Sequence, residues 1–251
     1  MLLISISSMS KLLKFSVGNA KLSKRIVIFS LPAGHYCHFA KDCKVSADRD
    51  TGDLSYSSDI NYMCFAARQE QRLTNVRDAR WHNLNLLMTA DIMFELIYDS
   101  LRYQDLEWMP YVRIHESGDF FSSEYLAAWI DVAELLPNTT FSAYTKALPL
   151  WYAQRHDIPA NLLLTASWGG THDHLILEYP EVFKRHARVV YCPEEAHSLG
   201  LEIDHDDSHC WGDRPFALLL HGTQAPQSAA SRAVTQLRKR GIPGYYTKQS
   251  V

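Results

Sequence analysis

The chain has 251 residues, of which 47% are hydrophobic and 21% are charged, and its formal net charge is −3. This apolar content is enough for one sizeable core, and the near-neutral charge gives no general indication of nucleic-acid or membrane binding, although a local basic groove stays open. Five scattered cysteines argue against a small secreted disulfide scaffold and favour a reducing compartment. Residues 1–9 lack the basic start and cleavage site of a signal peptide, and no run reaches the roughly 18 apolar residues of a membrane span. We therefore expect a cytoplasmic protein without a membrane partner.

Six short apolar segments predict β-strands, and the amphipathic stretches between them predict helices. The predicted strands cover 26–29, 111–115, 140–144, 162–165, 189–191 and 216–220. The predicted helices cover 89–103, 148–156, 174–184 and 227–240, with one more capped by Thr74 or Asn75 and another capped by Ser122 or Ser123 and ended by Pro137. This alternation indicates a parallel sheet covered on both faces, either an open doubly wound sheet or a partial barrel. Segment 46–60 is expected to be a turn-rich excursion, residues 1–15 an N-terminal extension, and residues 16–251 a single α/β domain.

Residues whose side chains or backbone could take part in catalysis or ligand binding follow the predicted strands. In strand order they are Cys37 and Cys43; Ser117, Gly118 and Asp119; Thr145 and Lys146; Ser167, Gly169, Gly170, His172 and His174; Cys192 and Glu194; and His221. Because the carboxyl ends of parallel strands lie at one edge of a sheet, we expect these residues to converge on one rim. The glycines either let a ligand approach the backbone or simply serve tight strand-to-helix turns.

Three cysteines form the first candidate site. Cys37, Cys43 and Cys64 are spaced Cys-x5-Cys-x20-Cys, which is not a standard zinc pattern. Three cysteines can hold a four-iron four-sulfur (4Fe-4S) cluster and leave one iron open to a ligand. His35 and His38 flank Cys37, so a mixed Cys/His zinc site is the competing interpretation. The remaining alternative is that all three are ordinary reduced thiols.

Carboxylates, imidazoles and a lysine supply the candidate catalytic residues. Asp119 can accept hydrogen bonds from an amine or hydroxyls, and Lys146 can act as a nucleophile or a phosphate contact. Asp204 and His205 belong to the run 202–209, whose density of Asp, Glu and His suits a divalent metal or acid–base chemistry. The alternative for that run is a solvated loop held by Asx-type turns.

Longer motifs carry a family resemblance. The run Lys-Leu-Ser-Lys-Arg-Ile-Val-Ile-Phe-Ser-Leu-Pro-Ala-Gly-His-x-Cys, residues 21–37, resembles the opening of the phage gene product 88 family. Segments 113–121, 143–146, 201–209 and 221–224 resemble the same family. The resemblance extends over nearly the whole chain from about Ser16 and implies a protein of bacteriophages, prophages or mobile elements, working in the cytoplasm of the bacterial host.

The layout from Ser117 to Ser167 resembles, more weakly, the radical S-adenosylmethionine proteins. That resemblance implies a partial (β/α)6 barrel in which Cys37, Cys43 and Cys64 hold the 4Fe-4S cluster. It implies that Ser117-Gly118-Asp119 holds the amino group of S-adenosylmethionine, although Asp119 stands where that family commonly has Glu and the cysteine spacing differs from the usual Cys-x3-Cys-x2-Cys. The cofactor-binding residues expected on this basis are Ser117, Gly118, Asp119, Thr145, Ser167, Gly169 and Gly170.

Three functions remain open from the sequence. The first is a radical S-adenosylmethionine enzyme that needs an electron donor and acts on a nucleobase, in a nucleic acid or nucleotide, or on another small group. The second is a metal-dependent nuclease or nucleic-acid-processing protein that uses the 202–209 run and a structural zinc. The third is a non-enzymatic phage accessory protein. The oligomeric state is left open.

Overall fold

A computed structural model of the chain describes residues 12–19 and 22–242, in which ten strands and eight α-helices are present. The strands are β1 (Ser16–Val17), β2 (Ile26–Ile28), β3 (Val45–Ala47), β4 (Leu54–Tyr56), β5 (Tyr111–Ile114), β6 (Thr140–Thr145), β7 (Leu162–Ser167), β8 (His186–Val190), β9 (Glu202–Asp204) and β10 (Phe216–Leu219). The helices are α1 (Phe65–Arg72), α2 (Thr74–Thr89), α3 (Met93–Leu101), α4 (Ser123–Leu135), α5 (Leu148–Ala153), α6 (His174–Glu178), α7 (Pro193–Ser198) and α8 (Ala229–Lys239). Among these helices none is both long and apolar enough to cross a membrane.

The main sheet has eight strands in the order β1-β2-β5-β6-β7-β8-β10-β9. The six predicted strands are confirmed as β2, β5, β6, β7, β8 and β10, and they run parallel in the order in which the chain makes them. A doubly wound sheet reverses its strand order at a switch point. Since this order contains no reversal, the doubly wound alternative is wrong. β1 adds an antiparallel edge, and β9 adds a parallel edge beyond β10.

Apart from α1, the helices pack on one face of the sheet, so the expectation of a helical layer on both faces is wrong. Alternate side chains of β2, β5, β6 and β7 enter one large core with helical residues of α2, α3, α4 and α5. Its fully buried centre includes Val27, Leu84, Val112, Trp129 and Phe141. On the same face, Ala217 and Leu219 of β10 pack with Ala196 of α7 and Leu237 of α8.

The opposite face of the sheet is concave. The ring centroids of Tyr144 on β6 and Phe216 on β10 are 5.9 Å apart, although β7 and β8 lie between those strands. In a flat sheet three strand spacings would separate them by about 14 Å. A short 3-10 turn, His209–Trp211, lies inside this concavity, where Trp211 contacts Tyr111 at 5.1 Å between ring centroids.

Several local predictions need correction. Segment 46–60 contains the antiparallel hairpin β3–β4. α6 ends at Glu178, short of the predicted 184, because Pro180 cannot continue a helix. α2 is capped by Leu73, whose side chain has no polar atom, so neither Thr74 nor Asn75 is its cap. Ser122 is confirmed as the cap of α4, since its Oγ accepts the Tyr125 N–H at 3.1 Å.

The predicted N-terminal extension lies mostly outside the described residues, which begin at position 12. The part that is described packs against the domain. Leu13 is buried in the large core, and its N–H donates to Ser100 Oγ at 2.9 Å. Asn83 of α2 exchanges hydrogen bonds with both backbone groups of Lys14. Residues 12–15 are therefore fixed on the face that the helices cover.

Candidate functional site at the carboxyl edge of the sheet

The carboxyl ends of the parallel strands surround a cavity of about 390 Å³ on the concave side. The residues predicted for this rim that line it are Cys43, Cys64, Lys146, Ser167 and His221. Its other walls are Asn19, Tyr62, Phe65, Ala66, Arg113, Glu116, Tyr144, Val189, Asp207 and Leu218. The predicted convergence of groups from several strands on one rim is thus present in the fold, because the strands are parallel.

The three predicted metal-ligating cysteines are mutual neighbours at this rim. Cys37 and Cys43 lie in the loop after β2, and Cys64 is the residue before α1. All are free thiols. Burial first, and then neighbouring Cys43, raise the pKa of Cys64 to about 11. Burial, followed by the charges of Asp119 and Cys64, raises the pKa of Cys37 well above its ordinary value.

Backbone hydrogen bonds fix the cysteine loop to the rest of the rim. The N–H groups of Lys41 and Asp42 donate to the Gly169 carbonyl at 3.1 and 3.0 Å, which joins the loop to the end of β7. The N–H groups of Asn61 and Tyr62 donate to the Asp42 carbonyl at 2.8 and 3.1 Å. These bonds bring Cys43 and Cys64 together although 20 residues separate them in sequence. Loop closure of that length carries a modest entropic cost.

Asp119 is a buried carboxylate held by groups from the next strand. Its Oδ1 accepts the Thr145 hydroxyl at 2.6 Å, and its Oδ2 accepts the Lys146 N–H at 2.9 Å. Burial raises the pKa of Asp119, and those hydrogen bonds oppose the rise. Lys146 Nζ in turn donates to Ser167 Oγ at 2.6 Å. Four of the predicted residues thus form one connected network beside Cys37.

Glycines at the rim allow loops of the chain itself to approach closely. Gly118 has a φ of 91°, and a Cβ there would stand 2.6 Å from Leu31 Cβ. Gly169 has a φ of 93°, and a Cβ there would stand 2.9 Å from Asp42 Cβ. Gly170 forms an isolated bridge with Ala40 of the cysteine loop. Turn geometry and loop packing therefore explain these glycines.

A buried ion pair that sequence reasoning missed supports the turn after β5. Glu70 is fully buried, and its Oε1 accepts from Arg80 Nη1 at 2.8 Å and from the Ala33 N–H at 2.9 Å. The Ser117 hydroxyl lies 3.4 Å from the same oxygen. Ser117 is therefore connected to α1 and α2 rather than exposed at the rim. No local pattern indicates this pair, because its members sit on different helices.

The 202–209 run is divided between strand, turn and cavity. Asp204 ends β9 and is fully buried, with Oδ1 3.3 Å from Nδ1 of His209, whose Nε2 lies 3.5 Å from Glu202 Oε2. Burial is the main cause that raises the pKa of Asp204. His205 does not share the cavity, whereas Asp207 lines it. Asp207, a member of the predicted run, thus lines the cavity, whereas the two candidate catalytic residues of the run, Asp204 and His205, are not among its lining residues.

In the described part of the chain these clusters do not form a ready-made metal site. Within residues 12–19 and 22–242, no group of three or more His, Cys, Asp or Glu side chains is arranged to hold a metal ion. His35, a candidate zinc ligand, instead places Nε2 2.8 Å from the Ala47 carbonyl. The three thiols interact electrostatically, yet their side chains do not stand in a coordinating arrangement.

Arg113 is the second feature that sequence reasoning missed. It is 8% exposed, and its guanidinium carbon lies 4.1 Å from the centre of the Tyr144 ring. Burial disfavours its charge, but Tyr144, Cys210 and Asp207 outweigh this and raise the pKa of Arg113. The sequence does contain an indication of Arg113, since it is the one charged residue of an otherwise uncharged strand, between Val112 and Ile114.

Fold and rim define a mixed α/β protein with a mostly parallel sheet and a polar cavity at its carboxyl edge. The family model described as "Gene product 88" matches residues 11–237, and the chain belongs to that family of bacteriophage proteins. It is 34% identical over 91 residues to the Gene 88 protein of Mycobacterium phage D29 and, over the same length, to that of Mycobacterium phage L5. Each match covers 34% of this chain and only 38% of the relative. No solved structure matches the chain significantly.

Proposed function

We propose that this phage protein is an iron–sulfur enzyme of the radical S-adenosylmethionine type, which acts in the host cytoplasm on a nucleobase or another small group. The observation that carries the proposal is the neighbourhood of Cys37, Cys43, Cys64 and Asp119 at the carboxyl edge of the sheet. Three thiols from the first loop and an acid from the second are the groups expected there.

The strand order supports a partial (β/α)6 barrel. Six parallel strands follow one another in sequence order, and their helices pack on one face. In such a barrel, the concave face on which Tyr144 and Phe216 meet across two intervening strands would form the interior. In such barrels the loops after the strands form the active site.

The donor set fits an iron–sulfur cluster better than it fits zinc. Three free thiols lie together, and His35 Nε2 lies 2.8 Å from the Ala47 carbonyl instead of facing them as a zinc ligand would. Because the pKa values of Cys37 and Cys64 are raised, these two side chains are neutral thiols in the free protein, and binding of a metal centre there would release protons. Since the thiols do not stand in a coordinating arrangement, binding also requires the cysteine side chains to move. S-adenosylmethionine bound at such a cluster supplies a carbon-centred radical after one-electron reduction by an external donor.

The chain's own residues provide recognition and shielding. Asp119 has a buried carboxylate next to Cys37, and its oxygens can accept hydrogen bonds from the amino group of a bound amino acid. Thr145 and the Lys146 N–H orient that carboxylate. Lys146 and Ser167 extend the polar lining toward the cavity, and Tyr62, Phe65 and Leu218 provide the apolar walls that exclude water.

The proposal is tested by cofactor turnover. The protein, reconstituted with iron and sulfide without oxygen, is incubated with S-adenosylmethionine and dithionite, and 5′-deoxyadenosine is quantified. We expect formation of this product in the wild type and a strong loss in Asp119→Asn, with Asp131→Asn, which changes an exposed carboxylate of α4, as the matched control. Absence of the product from cluster-loaded wild type would reject the proposal and favour the nuclease or accessory alternatives.

A further inference from the structure

The floor of the cavity contains a buried cation that the protein does not fully pair. Among the described residues, Arg113 Nε and Nη1 are buried and have no hydrogen-bond partner. The register places Arg113 between Ile28 on β2 and Ser142 on β6, so its neighbours in the sheet carry no negative charge. A buried guanidinium stays charged, because it does not lose its proton in proteins. Its charge therefore acts on whatever occupies the cavity that Arg113 lines.

We propose that this floor binds the oxyanion of a small molecule, either a carboxylate or a phosphate, with Arg113 as the principal contact. The proposal goes beyond the function proposed above and holds whether or not the cysteines carry iron. The face of Tyr144, 4.1 Å from the guanidinium carbon, holds the guanidinium in place. A guanidinium held in this way is prepared for an oxyanion, because its N–H groups match the geometry of carboxylate and phosphate.

The acidic residues of the cavity leave room for such a ligand. Glu116 is already engaged, since it accepts from Asn19 Nδ2 at 2.8 Å and lies 3.7 Å from Arg80 Nη2. Asp207 is close enough to favour the charge of Arg113, but in the described part of the chain the two form no ion pair within 4.0 Å. Asp207 therefore contributes a negative potential that an incoming anion must overcome.

The remaining walls indicate what carries the oxyanion. Tyr62, Phe65, Val189 and Leu218 give the cavity an apolar side, and Lys146 gives it a second cation. A volume of about 390 Å³ lies within the usual range for small-molecule sites. The matching ligand is a small molecule with an apolar or aromatic body and one anionic group.

The test uses inorganic phosphate and benzoate as probes for the two oxyanion chemistries. Each is titrated calorimetrically into the full-length protein at constant ionic strength. We expect the wild type to bind at least one of them, and Arg113→Met to bind it about tenfold more weakly, because a charge-assisted contact is lost. Arg102→Met, which changes an exposed arginine at the end of α3, is the control and keeps wild-type affinity.

A second variant works in the opposite direction and does not disturb the core. Asp207 has a φ of 63°, a conformation that Asn also tolerates, so Asp207→Asn preserves the backbone. Loss of its charge should tighten anion binding about threefold to fivefold. If neither probe binds to wild type or to Asp207→Asn, or if Arg113→Met binds as wild type does, the proposal is overturned. If Arg113→Met does not fold, the Asp207→Asn comparison decides alone: tighter binding supports the site, and unchanged binding overturns it.

Discussion

The Thr145 hydroxyl donates to the Asp119 carboxylate at 2.6 Å, which joins the last residue of β6 to the turn that follows β5. Both residues are buried. The bond holds a carboxylate in a place where burial alone would favour its neutral form. Asp119 is thereby kept beside Cys37 in one orientation.

Removal of that hydroxyl should weaken the fold and raise the pKa of Asp119. Thr145→Val keeps the shape but loses the donor, and the expected loss is about 1.5–3 kcal/mol of unfolding free energy at neutral pH. The pKa of Asp119, followed by carbon NMR, should rise above the wild-type value. Thr145→Ser keeps the donor and should keep that pKa; an equal rise in both variants would contradict this role of the hydroxyl.

Removal of one partner from the buried ion pair between Glu70 and Arg80 should destabilise the fold strongly. Arg80→Met leaves Glu70 buried without its cation, and we expect urea unfolding to show a loss of about 3–5 kcal/mol. Arg102→Ala breaks the exposed pair with Asp99 and serves as the control, with an expected loss below about 1 kcal/mol. Similar losses in the two variants would show that Glu70 does not depend on Arg80.

His115 should make the protein less stable as the pH falls. Burial, and then Arg113, lower the pKa of His115 from 6.5 to about 3. Between these pH values the unfolded chain binds a proton that the folded chain does not, so stability falls with decreasing pH by up to about 1.4 kcal/mol per pH unit from this group. His115→Asn tolerates the φ of 62° and should remove this part of the slope in urea titrations. An unchanged slope would mean that His115 is protonated in the fold.

A side chain added at Gly118 should lower the stability of the fold more than one added at a glycine with open surroundings. Gly118→Ala adds a Cβ 2.6 Å from Leu31 in a left-handed conformation, so strain and a clash combine. Gly200 has a φ of 66°, and no described atom lies within 4 Å of the position of its Cβ, so Gly200→Ala reports the conformational term alone, about 1–2 kcal/mol. Thermal unfolding should show the larger loss for Gly118→Ala. Equal losses would indicate that the Leu31 loop moves freely.

The sequence predicts the strands well because burial on a parallel sheet leaves runs such as Leu162-Leu163-Leu164 without alternation. It also predicts which groups follow the strands, and hence that Cys43, Lys146 and Ser167 share a rim. Edge elements were missed, since the strand Glu202–Asp204 reads as a polar run.

Contacts between distant elements were beyond local patterns. The pairing of Glu70 with Arg80 depends on how α1 and α2 pack, and the entry of Asp207 into the cavity depends on the curvature of the sheet. Arg113 could have been identified from its position inside an apolar strand, because a charge there requires a special environment. Its contact with the Tyr144 ring could not have been identified in this way.

The most direct test of the central claim is the iron, sulfide and zinc content per chain of protein purified without oxygen. We expect about four irons and four sulfides in the wild type, and their loss in Cys37→Ala, Cys43→Ala and Cys64→Ala. Cys192→Ala, which changes a partly exposed thiol before α7, should keep the full content. About one zinc without sulfide, or iron that survives Cys64→Ala unchanged, would contradict the proposed cluster.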